Sequence, residues 1–192
     1  MAGKNDQPFK HVGNFRIDFE RALSSLSWDR KTTGPTGIVD NHIKYDDIDM
    51  TGWIKTVGDA MCEAVGGRMW DLNYTCPGSI TRPHIDRHSI FAKRLNEWDK
   101  VKAGIYDHHE RYVRYWIPLN KREFGQWFEA KDLGTLSDWQ AGDIFITPAH
   151  IRHTAVTAGD EGRYYMKIAA IRGSNTLADR DEFETYDLSH IK

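Results

Sequence analysis

From Met69 onward the chain breaks into short runs of β-branched and aromatic residues, each closed by a turn signal, and this punctuation restricts the fold more than any other feature. Met69–Thr75 stops at Cys76-Pro77-Gly78, and Arg111–Leu119 alternates along its length. Gly125–Phe128 is a shorter run, and Asp143–Thr147 starts after Gly142 and halts at Pro148. Thr154–Thr157 and Arg163–Ile171 flank Gly159-Asp160-Glu161-Gly162, the composition of a hairpin loop. Six or more strands joined by turns predict a sheet or sandwich, braced on one side by the helices that precede it.

The first 68 residues read differently. Phe19–Leu26 and Ile54–Val65 place apolar residues three and four apart, and Gly66-Gly67 ends the second run, so both are expected to be helices. Lys31–Asp49 between them carries glycine, proline and acidic residues and is expected to be loop. The reading is a single domain over 1–192. An N-terminal helical brace (1–68) supports a β core (69–172), and a tail (173–192) packs on its surface. A long insertion, 87–110, interrupts the strands with a short helix in its middle, and loops of that length in a compact domain tend to face substrate.

Composition narrows the function. Net charge is −2, without the basic excess of phosphate-tracking proteins, which disfavours a nucleic-acid partner. No apolar run approaches the ~20 residues of a membrane span. The polar N-terminus resembles no signal peptide, and Ala2 excludes N-myristoylation, so a cytoplasmic setting is expected. Two cysteines without a CxxC spacing exclude a disulfide scaffold and a thiolate zinc site. Nine histidines against two cysteines mean that any metal is held by imidazole and carboxylate.

His84-Ile85-Asp86 is an HxD pair, and on extended backbone residues i and i+2 point the same way. Taken alone the pair is weak, because roughly one HxD is expected by chance in such a composition. A third ligand has to come from a distant strand, and Asp143–Thr147 leads directly to His150 and His153. Two histidines and a carboxylate form the facial triad that leaves open positions on Fe(II). Arg163 opens the following strand, where a guanidinium is suited to a carboxylate. Period two then sends Tyr165 and Lys167 to the same side as Arg163. Along Arg111–Leu119 the same period groups Tyr112, Arg114 and Trp116 on one face, with Val113, Tyr115 and Ile117 on the other.

HID at 84–86, GDIFITPAHIRHTAVT at 142–157 and GRYYMKI at 162–168, in that order, resemble the Fe(II)/2-oxoglutarate-dependent dioxygenases, closest to the prolyl-hydroxylase-like small hydroxylases. The resemblance covers about residues 69–172. Arg163 follows His153 by ten positions, the family's spacing, which favours His153 over His150 as distal ligand. The resemblance implies a double-stranded β-helix, or jelly roll, mainly β with bracing α-helices. It implies His84, Asp86 and His153 as metal ligands and Arg163 on the far carboxylate of 2-oxoglutarate. Tyr74 matches a tyrosine that contacts this co-substrate, and Arg114 resembles a co-substrate-contacting arginine of the aspartyl/asparaginyl hydroxylases. The cofactors implied are Fe(II), 2-oxoglutarate and dioxygen, and the activity is a hydroxylase. Its substrate is a protein or peptide side chain or a small amino-acid-like molecule.

Trp98 in the insertion and Trp116 are candidates for substrate contact, while His88, His108 and His109 are expected to be solvated. Two other readings stay open: a cupin-type metalloenzyme that uses no 2-oxoglutarate, and a metal-free jelly-roll binding module. HID does not fit the usual first cupin motif, and Arg163 has no role there.

Overall fold

The computed structural model describes residues 9–24, 42–47, 50–86, 88–105, 107–147, 149–180 and 182–191. The N-terminal residues behind the targeting expectation lie outside the described set, as do the end of the first expected helix and 31–41 of the expected loop. The N-terminal elements are β1 (Lys10–Arg16), α1 (Phe19–Ser24), β2 (His42–Asp46) and α2 (Gly52–Ala64). Then come β3 (Gly67–Thr75) and β4 (Ser79–His84), followed by the helices α3 (Ser89–Arg94), α4 (Trp98–Lys102) and α5 (His108–Arg111). The rest is β5 (Tyr112–Pro118), β6 (Gln126–Ala130), β7 (Gly134–Leu136), β8 (Asp143–Ile146), β9 (His153–Thr157), β10 (Arg163–Ile171) and β11 (Glu184–Asp187).

Two sheets result, a major one ordered β11-β1-β8-β5-β10-β3-β2 and a minor one ordered β4-β9-β6-β7. From β3 to β10 the chain alternates between the sheets in the manner of a jelly roll, and the fold is the expected double-stranded β-helix. Alternation along β10 sets up the layers. Tyr164, Met166, Ile168 and Ala170 point outward, and Met166, Ile168 and Ala170 join the core under α1 and α2, with Tyr164 packed against it. Arg163, Tyr165, Lys167 and Ala169 point inward between the sheets, and Tyr165 packs there with Trp116, Phe128, Trp139 and Phe145.

Helix α2 forms because its apolar residues keep helical spacing: Ile54, Val57, Met61 and Cys62 are buried together against Trp70 and Leu72 of β3. Gly66, at φ +69°, ends it in the left-handed conformation that glycine tolerates best.

The N-terminal region is more than the helical brace expected. It supplies β1, seated between β8 and β11, and β2 at the sheet edge, inside the segment read as loop. The run KHVGNFR hides a strand because Gly13 interrupts its pattern. A Cβ at Gly13 would lie 2.3 Å from the Glu184 carbonyl oxygen, so glycine permits this close approach of two backbones. The tail likewise does more than pack on the surface, since β11 extends the major sheet parallel to β1. The insertion is largely helical. Phe91, Leu95, Trp98 and Val101 bury one side of α3 and α4 against Met69, Tyr112 and Ala169. Among the described residues no helix is long and apolar enough to cross a membrane.

Gly58 sits where α2 meets β3, and a Cβ there would lie 2.4 Å from the Trp70 ring. Alanine gains up to about 1 kcal/mol over glycine in a helix, whereas overpacking costs about 1–3 kcal/mol. Gly58→Ala is therefore expected to lower stability by about 1 kcal/mol in urea unfolding. An unchanged or raised midpoint would contradict this packing.

Candidate metal centre

The minor sheet brings the two histidines together. β4 and β9 run antiparallel with His84 opposite His153, after a register shift between Thr81 and His84 that bends the end of β4. Their rings lie 4.5 Å apart by centroid. Asp86 follows just past the strand, its N–H donating to the Ala149 carbonyl at 3.0 Å. Its Oδ1 lies 3.4 Å from His84 Nε2 and its Oδ2 3.7 Å from His153 Nε2. One ligand atom from each of the three falls within 4.8 Å of the others, the grouping that holds a single ion.

Both imidazoles are oriented by the backbone. His84 Nδ1 sits 2.8 Å from the Arg82 carbonyl, and His153 Nδ1 sits 2.8 Å from that of Ile151. A carbonyl only accepts, so each Nδ1 donates to the backbone, and Nε2 is the nitrogen each ring turns toward Asp86. Such hydrogen bonds from the distal ring nitrogen are what ligating histidines need to fix tautomer and rotation. His153 is 5% exposed and stacks on Phe128, with 5.3 Å between ring centroids. Burial pushes its pKa down, and Asp86 pulls the other way without cancelling that shift. Burial works against the charge of Asp86, but Arg114, His84, Lys167 and His153 outweigh it and hold the carboxyl well below its usual range.

His150, the competing candidate, is exposed, and its ring lies 6.0 Å from that of His109. The expectation that His88 is solvated fails: it is 2% exposed, packed beside Tyr112 and His109 where the insertion folds back on β5. His109 is half-buried.

The triad opens into a cleft between the sheets of about 530 Å³, its mouth included. Arg163, Tyr165 and Lys167 of β10 line it from one strand, as period two demanded. Arg163 is 1% exposed. Its Nη1 donates weakly to the Trp127 carbonyl at 3.5 Å, its Nε has no partner, and among the described residues no carboxylate pairs with it. Its guanidinium lies 5.3 Å from the Tyr165 ring centroid and 5.9 Å from that of Trp116. Burial alone lowers its pKa, with only Tyr165 opposing. A buried, uncompensated cation is costly to keep, and an arriving carboxylate would satisfy it.

Other expected site residues are placed differently. Tyr74 pairs in register with Tyr164 on β10, and directly opposed residues share a face. Tyr74 therefore points outward, stacked on Tyr164 at 4.5 Å and lying against Gly162, away from the cleft. Arg114 does line the cleft, but its Nη1 donates to Asp86 Oδ2. Trp116 forms part of the cleft wall at 2% exposure. Trp98 lies outside the cleft lining, because α4 needs it as an apolar anchor against the sheet. Asp71 drew no attention in the sequence, yet it sits behind the cleft, 3.8 Å from Lys167 and 3.5 Å from Lys44.

The chemistry of the donor set suits a divalent ion of the Fe(II) type: two imidazole nitrogens and one carboxylate on one side, with an open cleft on the other. Because Arg163 is buried without a counter-charge, Arg163→Met is expected to raise the unfolding free energy of the ligand-free protein by about 1–2 kcal/mol. Urea unfolding checks this, and a loss of stability would show that the guanidinium is already satisfied.

No protein-family model matches the chain, and no curated protein matches its sequence. Among solved structures, a Pseudomonas putida prolyl-4-hydroxylase aligns with a TM-score of 0.54 at 18% identity, covering 88% of this chain and 95% of that one. The viral collagen prolyl hydroxylase of Paramecium bursaria Chlorella virus-1, in its complex with 2OG, aligns with a TM-score of 0.51 at 12% identity, covering 88% and 99%. Identities this low establish a shared fold, and the chain has the jelly roll of these two hydroxylases.

Proposed function

We propose that the protein is an Fe(II)- and 2-oxoglutarate-dependent oxygenase, a hydroxylase acting on a protein side chain of prolyl or Asp/Asn type or on an amino-acid-like molecule. The observation that carries this reading is Arg163. A triad by itself fits any metalloprotein, but a buried guanidinium without a carboxylate, facing the same cleft, calls for an anionic co-substrate. A cupin-type enzyme without 2-oxoglutarate would leave that charge unexplained. The two free cysteines support a reducing, cytoplasmic setting.

His84, Asp86 and His153 would hold the iron, which with 2-oxoglutarate and dioxygen supplies the oxidising power to hydroxylate a C–H bond. The protein's own part is geometric and electrostatic. The Arg82 and Ile151 carbonyls keep both imidazoles turned inward. Arg114 holds Asp86 ionised and restricts its rotation through Oδ2, leaving Oδ1 for the centre. Arg163 would take the far carboxylate of 2-oxoglutarate, with Trp116 and Tyr165 walling that end from water. No side chain has to act as a general acid or base.

Anaerobic titration of Fe(II) in the presence of 2-oxoglutarate is expected to produce a visible charge-transfer band, absent from His153→Ala and Asp86→Ala. Intact protein that gives no band, or a band that survives both substitutions, would refute the reading.

A further inference from the structure

The cleft carries more positive charge than its co-substrate needs. Three cations line it, Arg114, Arg163 and Lys167, against the single carboxylate of Asp86. Asp71 lies behind Lys167, but its one carboxylate is shared: Lys167 Nζ is 3.8 Å away, Lys44 Nζ 3.5 Å, and Asn73 Nδ2 donates to it as well. At 3.8 Å the Lys167 contact is longer than a hydrogen bond. A divalent ion at the triad and a dianionic co-substrate cancel each other, so the cleft keeps its net positive charge when both are bound. In a cleft with low-dielectric walls, that surplus favours an anion.

Lys167 also enters the cleft from a different point of β10 than Arg163. Arg163 and Lys167 stand on the same face of β10 with Tyr165 between them, Arg163 lying 5.3 Å and Lys167 5.7 Å from its ring centroid. Four residues of strand put their Cα atoms roughly 13 Å apart. Lys167 lines the cleft together with His84, Asp86 and His153 and lies opposite Trp116 on β5. Its side chain is 26% exposed, open to an incoming molecule, whereas Arg163 is closed off.

Resting on the oxygenase reading, we infer that the primary substrate carries a carboxylate that docks on Lys167, with Arg114 behind it. Its neighbouring C–H bonds then lie beside His84, Asp86 and His153. Lys167 is on this account the specificity-determining residue for substrate, as Arg163 is for co-substrate. The carboxylate belongs either to a free small acid such as an amino acid, or to an acidic side chain of a peptide.

Acetate and acetamide, added to the anaerobic Fe(II)/2-oxoglutarate complex, are the minimal probes. Acetate is expected to shift the visible band without bleaching it, and acetamide to leave it unmoved. Lys167→Met is expected to weaken acetate about tenfold or more relative to any change in 2-oxoglutarate affinity, and Lys167→Arg to retain most of the response. An inert acetate, an equally effective acetamide, or a response unchanged in Lys167→Met would overturn the proposal. So would acetate that bleaches the band, because it would then be displacing 2-oxoglutarate. A protein with no band, in which acetate still raises the melting temperature through Lys167, would sink the oxygenase reading and keep the anion site. Competition against acetate by free L-amino acids, or by an N-acetylated, C-amidated aspartyl peptide, separates the two sources, and competition by neither overturns the proposal.

Discussion

The pairing of His84 with His153 across the minor sheet is the contact on which the site depends. These residues are far apart in sequence, and only the jelly-roll crossover from β4 to β9 lays them side by side. The irregular end of β4 then lets the chain turn so that Asp86 reaches the same point, fixed by its N–H on Ala149. A regular strand would have carried the chain past. Two backbone carbonyls orient the imidazoles, so the geometry of the cluster is set by the main chain.

The inner face of the major sheet is built around that point in bands. One apolar cluster, with Trp116, Phe145 and Tyr165, fills the space between the sheets. Another, with Met69, Tyr112 and Phe91, seats the insertion helices on the same face. Asp71, Arg114 and Lys167 form a charged band between them, joined to Asp86 through Arg114. Burying so many charges is defensible only where each is paired or awaits a ligand. Arg163, outside that band, would wait for the co-substrate, and Lys167, only 3.8 Å from Asp71, for the substrate.

Much of this was legible in the sequence because period two is a strong constraint. From Arg163 alone, alternation placed Tyr165 and Lys167 in the cleft, and along β5 it separated Arg114 and Trp116 from Tyr115 and Ile117. The spacing implied by the family resemblance favoured His153 over His150, and the structure puts His153 in the cluster and His150 at the surface. What failed needed register between strands. Tyr74 has suitable chemistry and spacing, but its pairing with Tyr164 turns it outward, and no single strand reveals that. Asp71 was missed for the same reason, since its role comes from Lys44 and Lys167 on two neighbouring strands. β1 was hidden by Gly13, which permits its close backbone pairing with β11, and β11 by its acidic residues. His88 was misread because a histidine in a charged insertion gives no sign of the aromatic cluster that buries it.

The central claim is that Arg163 and the triad form one site spanned by a single co-substrate. It is tested most directly by binding 2-oxoglutarate and 2-oxobutyrate, which lacks the far carboxylate, to Zn(II)-loaded wild type and Arg163→Met under calorimetry. The account predicts that wild type prefers 2-oxoglutarate by about tenfold or more, and that Arg163→Met erases the preference by weakening 2-oxoglutarate alone. A preference that persists in Arg163→Met, or is missing from wild type, would contradict it.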